Sequence, residues 1–171
     1  MGHEINRFAA DRARAKGIEV FDDRFSAALF GGRSFGAVTL LGVLEHLPVP
    51  MRFLEAVRTM LEPGGVLATL VPNADSLSAR VLREKCNTFD GIEHINFWNP
   101  DTFTRTLDNA GFEIMNQETT ISEIYTINCY LDFEDPYACA DQRALFLDAL
   151  TPASIHERLL GHHLCTYARL S

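Results

Sequence analysis

The 171-residue chain lacks several features that would have narrowed its role at once. Its four cysteines, Cys86, Cys129, Cys139 and Cys165, form no C-x-x-C pair, and no histidine stands at zinc-finger spacing from any of them. A zinc ribbon and a dithiol redox centre are therefore excluded, and the thiols read as small buried or half-buried groups in a reducing compartment. No apolar run reaches the roughly 18 residues that a membrane span needs. The opening MGHEINRFAADRARAKGIEV is charged and has no apolar centre, so it is not a secretory signal, and cytoplasmic residence is the expectation. Positive charge is scarce: 15 Lys and Arg face 23 Asp and Glu, for a formal net charge of -8. Neither a nucleic-acid backbone nor an anionic membrane is an expected partner. The one basic cluster, Arg7, Arg14 and Lys16, reads as a solvated helix face. Nothing glycine-rich precedes the first element, no internal repeat or low-complexity tract is visible, and no linker marks a second domain.

What is present is an ordinary globular balance, 47% apolar and 22% charged, in a length that suits one domain with a sizeable core. Asn6 reads as the N-cap of a helix over 6–16 that Gly17 stops. IEVF is a short strand, and FGAVTLLGVL is so uniformly apolar that it reads as a strand buried on both faces. Phe53, Leu54, Val57, Met60 and Leu61 fall at helical spacing over 50–62. EPGG ends that helix, and VLATLV is a second doubly buried strand. Residues 73–100 form a long loop with a short helix in SLSARVLREK, better read as a lid or substrate loop than as a connector. NPDTFTRTLDNAGF is a helix with Pro100 in its first turn and Gly111 as its stop. FEIMNQET is a strand. Residues 120–160 are a mixed, aromatic-rich segment with helices in ADQRALFLDAL and TPASIHERLL, and HHLCTYARL closes the chain as a strand.

Alternating strands and helices with short links argue for an open, parallel α/β sheet, whose ligands sit outside the carboxyl ends of the strands. Glu45, His46, Pro72 and Asn73 lie just past such ends, which places them on the rim of a crevice.

SFGAVTLLGVLEHLPVPMRFLEAVRTMLEPGGVLATLVPN resembles the second half of a class I S-adenosylmethionine-dependent methyltransferase, of the kind that acts on small molecules. The pattern there is F-D-x-V, then E-H-L, a helix, L-x-P-G-G and a strand ending in P-N. EHINFWNPDTFTRTLDNAGFEI continues the resemblance, which covers roughly residues 3–119 and the strand at 162–170. It implies a Rossmann-like three-layer sandwich with a mostly parallel sheet and an antiparallel C-terminal strand. The whole chain, 1–171, would be one domain: a partial cofactor-binding half over 1–72 and a substrate-side half over 73–171 with an insertion at 120–160.

The resemblance also implies roles. Glu4 would accept hydrogen bonds from both ribose hydroxyls of S-adenosylmethionine, since a carboxylate can accept two at once. Asp22 or Asp23 would take the adenine amino group, and Phe25 would cover the ring. Gly42 would let the ligand approach the backbone, and Glu45 would face the crevice or satisfy amides at the next helix start. His94, with His46, would act as general base toward a hydroxyl or amine of a small-molecule acceptor. Asn73 would touch the substrate or hold the loop, with Phe97 and Tyr125 as aromatics on the substrate side. Some relatives hold a divalent metal through E-x-x-E-H and a later histidine. Here the first acid position is Gly42, so the set is one ligand short and no metal is expected.

Two departures stand out. Gly36 replaces the usual Asp after Phe35. The family's first strand and its G-x-G-x-G loop have no counterpart, so the expected domain is truncated at its front and one strand is left with an open inner edge. A fragment of a longer enzyme, a homodimer or covering partner at that edge, and a degenerate relative with a scaffolding role are the three explanations. The alternatives to methyl transfer are a non-catalytic interaction module on this fold and a nicotinamide-dependent oxidoreductase.

Overall fold

The computed structural model describes residues 1–127 and 150–170. The strand β1 (Gly2–His3) leads into helix α1 (Arg7–Arg14), where the Asn6 side chain accepts the Ala9 amide, and β2 (Val20–Phe21) returns to pair with β1 in parallel. Next come β3 (Phe35–Leu41), α2 (Pro50–Met60), β4 (Leu61–Pro72) and α3 (Leu77–Leu82). They are followed by α4 (Pro100–Asn109), β5 (Phe112–Thr120), α5 (Pro152–Glu157) and β6 (His163–Leu170). The helix expected in ADQRALFLDAL lies outside the described residues, apart from Leu150.

The helices begin where their caps place them. At α4 the Asn99 side chain accepts the Thr102 amide while the Thr102 hydroxyl accepts the Asn99 amide, with Pro100 in the first turn. Thr151 and Ser154 do the same for α5. The buried faces of α2 (Leu54, Val57) and α4 (Phe103, Leu107) join Leu67, Val71 and Leu164 from the sheet in one core. Each such side chain contributes about 1.5–3 kcal/mol by leaving water.

The main sheet has four strands in the order β3-β4-β6-β5. β3 and β4 are parallel, and β6 runs antiparallel to both β4 and β5. Three strands thus share one direction and the last opposes them, as expected. The sheet is not continuous, however, because β1 and β2 form a separate two-stranded piece. The double burial expected for β3 is absent: Gly36, Ala37 and Thr39 are exposed and Leu41 is 62% exposed. Among the described residues β3 pairs only with β4. No helix among the described residues is long and apolar enough to cross a membrane.

Candidate active site

Three titratable side chains from two distant segments meet just past the carboxyl end of β3. Gly42 follows the strand rather than lying within it, and it adopts φ +65, a left-handed conformation that glycine takes without strain. The chain then turns through Leu44–His46, which carries Glu45 and His46. His94 arrives on the loop ahead of α4. That loop is clipped to the turn by its backbone: the Ile95 and Asn96 amides donate to the Glu45 carbonyl at 2.9 and 3.1 Å. The Asn96 side chain donates to the Leu47 and Leu44 carbonyls at 2.7 and 3.2 Å. Asp90 shapes the loop from the other end by accepting the amides of Ile92, Glu93 and His94, and those bonds hold its carboxyl below the usual range. The sequence reading missed Asp90 and Asn96; the Asp-Gly pair at 90–91 was the available signal for the turn.

The outcome is a pair of imidazoles 5.0 Å apart between ring centres. His46 Nδ1 lies 2.9 Å from the Glu93 carbonyl oxygen, and His94 Nδ1 lies 2.9 Å from that of Thr88. A carbonyl only accepts, so each Nδ1 carries the proton and each neutral ring keeps its lone pair on Nε2.

Glu45 is 3% exposed; its Oε1 lies 3.7 Å from His46 Nε2, and its Oε2 is buried without a hydrogen-bond partner. Burial raises the Glu45 carboxyl above its ordinary value of 4.5. The folded protein therefore holds a proton that the unfolded chain releases. The stability this gives is complete below pH 4.5 and is lost as pH rises through the raised value. Glu45→Gln keeps the neutral shape. Thermal melts should show it more stable than wild type at pH 8, with the gain shrinking toward pH 4.5. A destabilised variant at pH 8 would mean that the ionised carboxylate is what the fold requires.

The cofactor-side candidates lie around β1 and β2. Glu4 stands at the end of β1, where one carboxylate oxygen accepts the Asn6 amide at 2.8 Å. Asp22 is bound by Arg14 at 3.1 Å, which lowers its pKa and ties it to α1; of the two aspartates, Asp23 is the one whose carboxylate makes no ion pair among the described residues. The Asp23 carbonyl instead accepts from His3 Nε2 at 2.7 Å. Phe25 is stacked on Phe53 with ring centres 4.1 Å apart, so one of its faces is already covered by protein.

On the other side, Asn73 is fully buried. Its side-chain nitrogen donates to the carbonyls of Leu159 and Gly161 at 2.9 and 3.0 Å, and its oxygen accepts the Asp75 amide. Of its two expected roles the geometry serves loop-holding, because the whole amide is already engaged. Phe97 is exposed and lies 5.4 Å from Phe89, and Tyr125 is exposed within a helical turn over 124–127. The loop that Asn73 holds carries His162 into a second polar cluster, which the sequence reading did not anticipate. Ser78 Oγ is 3.3 Å and Glu123 Oε1 is 3.7 Å from His162 Nδ1. Burial pushes Glu123 up and His162 down, so both favour their neutral forms.

Residues 2–117 match a family model described as a methyltransferase domain. The chain belongs to the class I S-adenosylmethionine-dependent methyltransferases. A Ubiquinone biosynthesis O-methyltransferase from Dinoroseobacter shibae is 27% identical over 123 residues, which covers 62% of this chain and 46% of that protein. The chain thus spans less than half the length of this curated relative. An S-adenosylmethionine-dependent methyltransferase from Thermotoga maritima shares the fold with a TM-score of 0.62 at 16% identity, covering 100% of this chain and 73% of the other. Another from Archaeoglobus fulgidus has a TM-score of 0.55 at 16% identity, covering 98% and 74%.

For this methyltransferase domain the cofactor is S-adenosylmethionine. The ligand atoms of Glu45, His46 and His94 also lie within 4.8 Å of one another. One carboxylate and two imidazoles form a donor set that suits zinc or a similar divalent ion. Gly42 supplies no fourth ligand, and its Cβ position would stand 3.7 Å from Glu45 Oε1.

Proposed function

We propose that this domain takes part in methyl transfer from S-adenosylmethionine to a small acceptor bearing a hydroxyl or amine, with His94 as general base. The observation that carries the reading is the 2.9 Å contact of His94 Nδ1 with the Thr88 carbonyl, which only accepts and so leaves the lone pair of the neutral ring on Nε2. The curated relative, described as an O-methyltransferase, favours a hydroxyl.

S-adenosylmethionine supplies a methyl group activated by attachment to a sulfonium. The acceptor heteroatom forms a bond to that methyl carbon as the carbon–sulfur bond breaks, and the bonding pair stays on sulfur. His94 Nε2 takes the acceptor's proton and becomes an imidazolium, steadied by Asp90 Oδ2 at 3.6 Å from its Nδ1. Loss of that proton to water restores the base. His46 stands beside it, with ring centres 5.0 Å apart. Most of the acceleration in such a displacement comes from holding the two reacting centres in line at close range. Glu4 and Asp23 are the residues whose carboxylates would orient the nucleoside.

Calorimetry with S-adenosylhomocysteine is the direct test. Micromolar binding, weakened at least tenfold by Glu4→Ala, supports the reading. No binding at millimolar ligand would instead favour a non-catalytic interaction module, and a preference for NAD in a cofactor screen would overturn the reading in favour of an oxidoreductase.

A further inference from the structure

We propose that Glu123 is a proton-operated latch: its uncharged carboxyl fastens the 121–127 segment to the head of β6 and to α3, and its ionisation lets that segment leave the strand-end rim. The topology places the segment there. β4 and β5 both run antiparallel to β6, so they end at one edge of the sheet, with Pro72 and Thr120 each opposite His163. Asn73, the next residue after β4, bridges to Trp98 on the loop that carries His94. The chain therefore leaves β5 at the same edge as that loop.

The Glu123 side chain is 11% exposed, with Oε1 3.7 Å from His162 Nδ1, and the Ser78 hydroxyl bonds to the same carboxyl. Its Oε2 is buried with no hydrogen-bond partner. A carboxylate needs both oxygens solvated or paired, so ionisation here is costly, whereas a neutral carboxyl tolerates the place. The titratable groups around it are imidazoles: His162 and His163 at the head of β6, and His94, which acts on both of them. Burial lowers His162 and His163, so neither carries a counter-charge at the pH where Glu123 loses its proton. No lysine or arginine pairs with Glu123 among the described residues. The backbone adds tension to the latch. Ile121 and Glu123 stand at φ +58 and +54, left-handed values that side chains other than glycine hold only under constraint from their surroundings. Burial raises the Glu123 carboxyl above 4.5, so the latch is closed at low pH and opens as pH rises through the raised value.

Hydrogen exchange followed by NMR from about pH 6 to 9 tests it, with each rate divided by that of an unstructured peptide so that base catalysis cancels. Two amides report on the latch: His162, which donates to the Ile121 carbonyl, and Ile127, which donates to the Glu123 carbonyl at 3.0 Å. Both should lose at least tenfold in protection at the alkaline end, while the Phe103 amide, bonded to the Asn99 carbonyl, keeps its own. Glu123→Gln retains the neutral shape and should stay protected throughout. Flat protection in the wild type, an equal fall in Glu123→Gln, or a fall at Phe103 as large as at His162 would each overturn the latch. Carbon-13 titration of the Glu123 carboxyl follows the proton itself. Its midpoint should coincide with the fall in protection, and a midpoint at or below 4.5 would sink the proposal without recourse to a variant. Neither readout depends on methyl transfer.

Discussion

His94→Ala should lower methyl-transfer turnover by about 10²- to 10⁴-fold while leaving S-adenosylhomocysteine affinity within about twofold. The split follows from where the imidazole stands. It is tied to the 88–94 loop through the Thr88 carbonyl and Asp90. The nucleoside candidates lie instead around β1 and β2. Removing the ring deletes a proton acceptor without touching the carboxylate of Glu4 or Asp23. Turnover is read from S-adenosylhomocysteine release with an excess of acceptor, and affinity from calorimetry. His94→Gln is the companion variant: it can still accept a hydrogen bond but cannot take a proton at neutral pH, so its turnover should fall with the alanine variant. If both variants lose cofactor affinity as steeply as turnover, His94 holds the loop and another group moves the proton.

Asn73→Ala should destabilise the fold by about 3 kcal/mol, from the loss of three hydrogen bonds worth about 1 kcal/mol each. One fully buried amide joins the end of β4 to residues 159–161 and to the Asp75 amide. Alanine leaves the Leu159 and Gly161 carbonyls without that donor in a place water reaches poorly. For a domain of this size the melting temperature should drop by roughly 6–12 °C. The same change should release the segment carrying His162 and speed exchange at the His162 amide, which now donates to the Ile121 carbonyl at 2.8 Å. A shift under about 2 °C would show that the loop supports itself.

Much of the fold could be read from residues because its causes are local. Asn6, Asn99 and Thr151 cap the helices that follow them, and the apolar spacing of 50–61 and 103–107 marks the faces that pack. The grouping of Glu45, His46 and His94 was legible in part, since a charged pair at the end of an apolar strand belongs on a rim. What escaped depends on distant partners. Nothing in DDRF reveals that Asp22 is held by Arg14, because the ion pair exists only once α1 has turned back. Nor does any motif join Ser78, Glu123 and His162, which come from three segments and meet only when β5 and β6 align. The exposure of β3 contradicts its own composition; its open edge was legible only through the family resemblance, which lacked a counterpart for the first strand.

The place of β6 bears on how the chain acquires its shape during synthesis. Residues 163–170 are threaded between β4 and β5, and the Thr69 hydroxyl donates to the Thr166 carbonyl 97 positions away. Until that segment leaves the ribosome, β4 and β5 have no common neighbour and the edges they turn to β6 stay unpaired. Sheet closure is then a late, long-range event, of the kind that sets a slow folding rate.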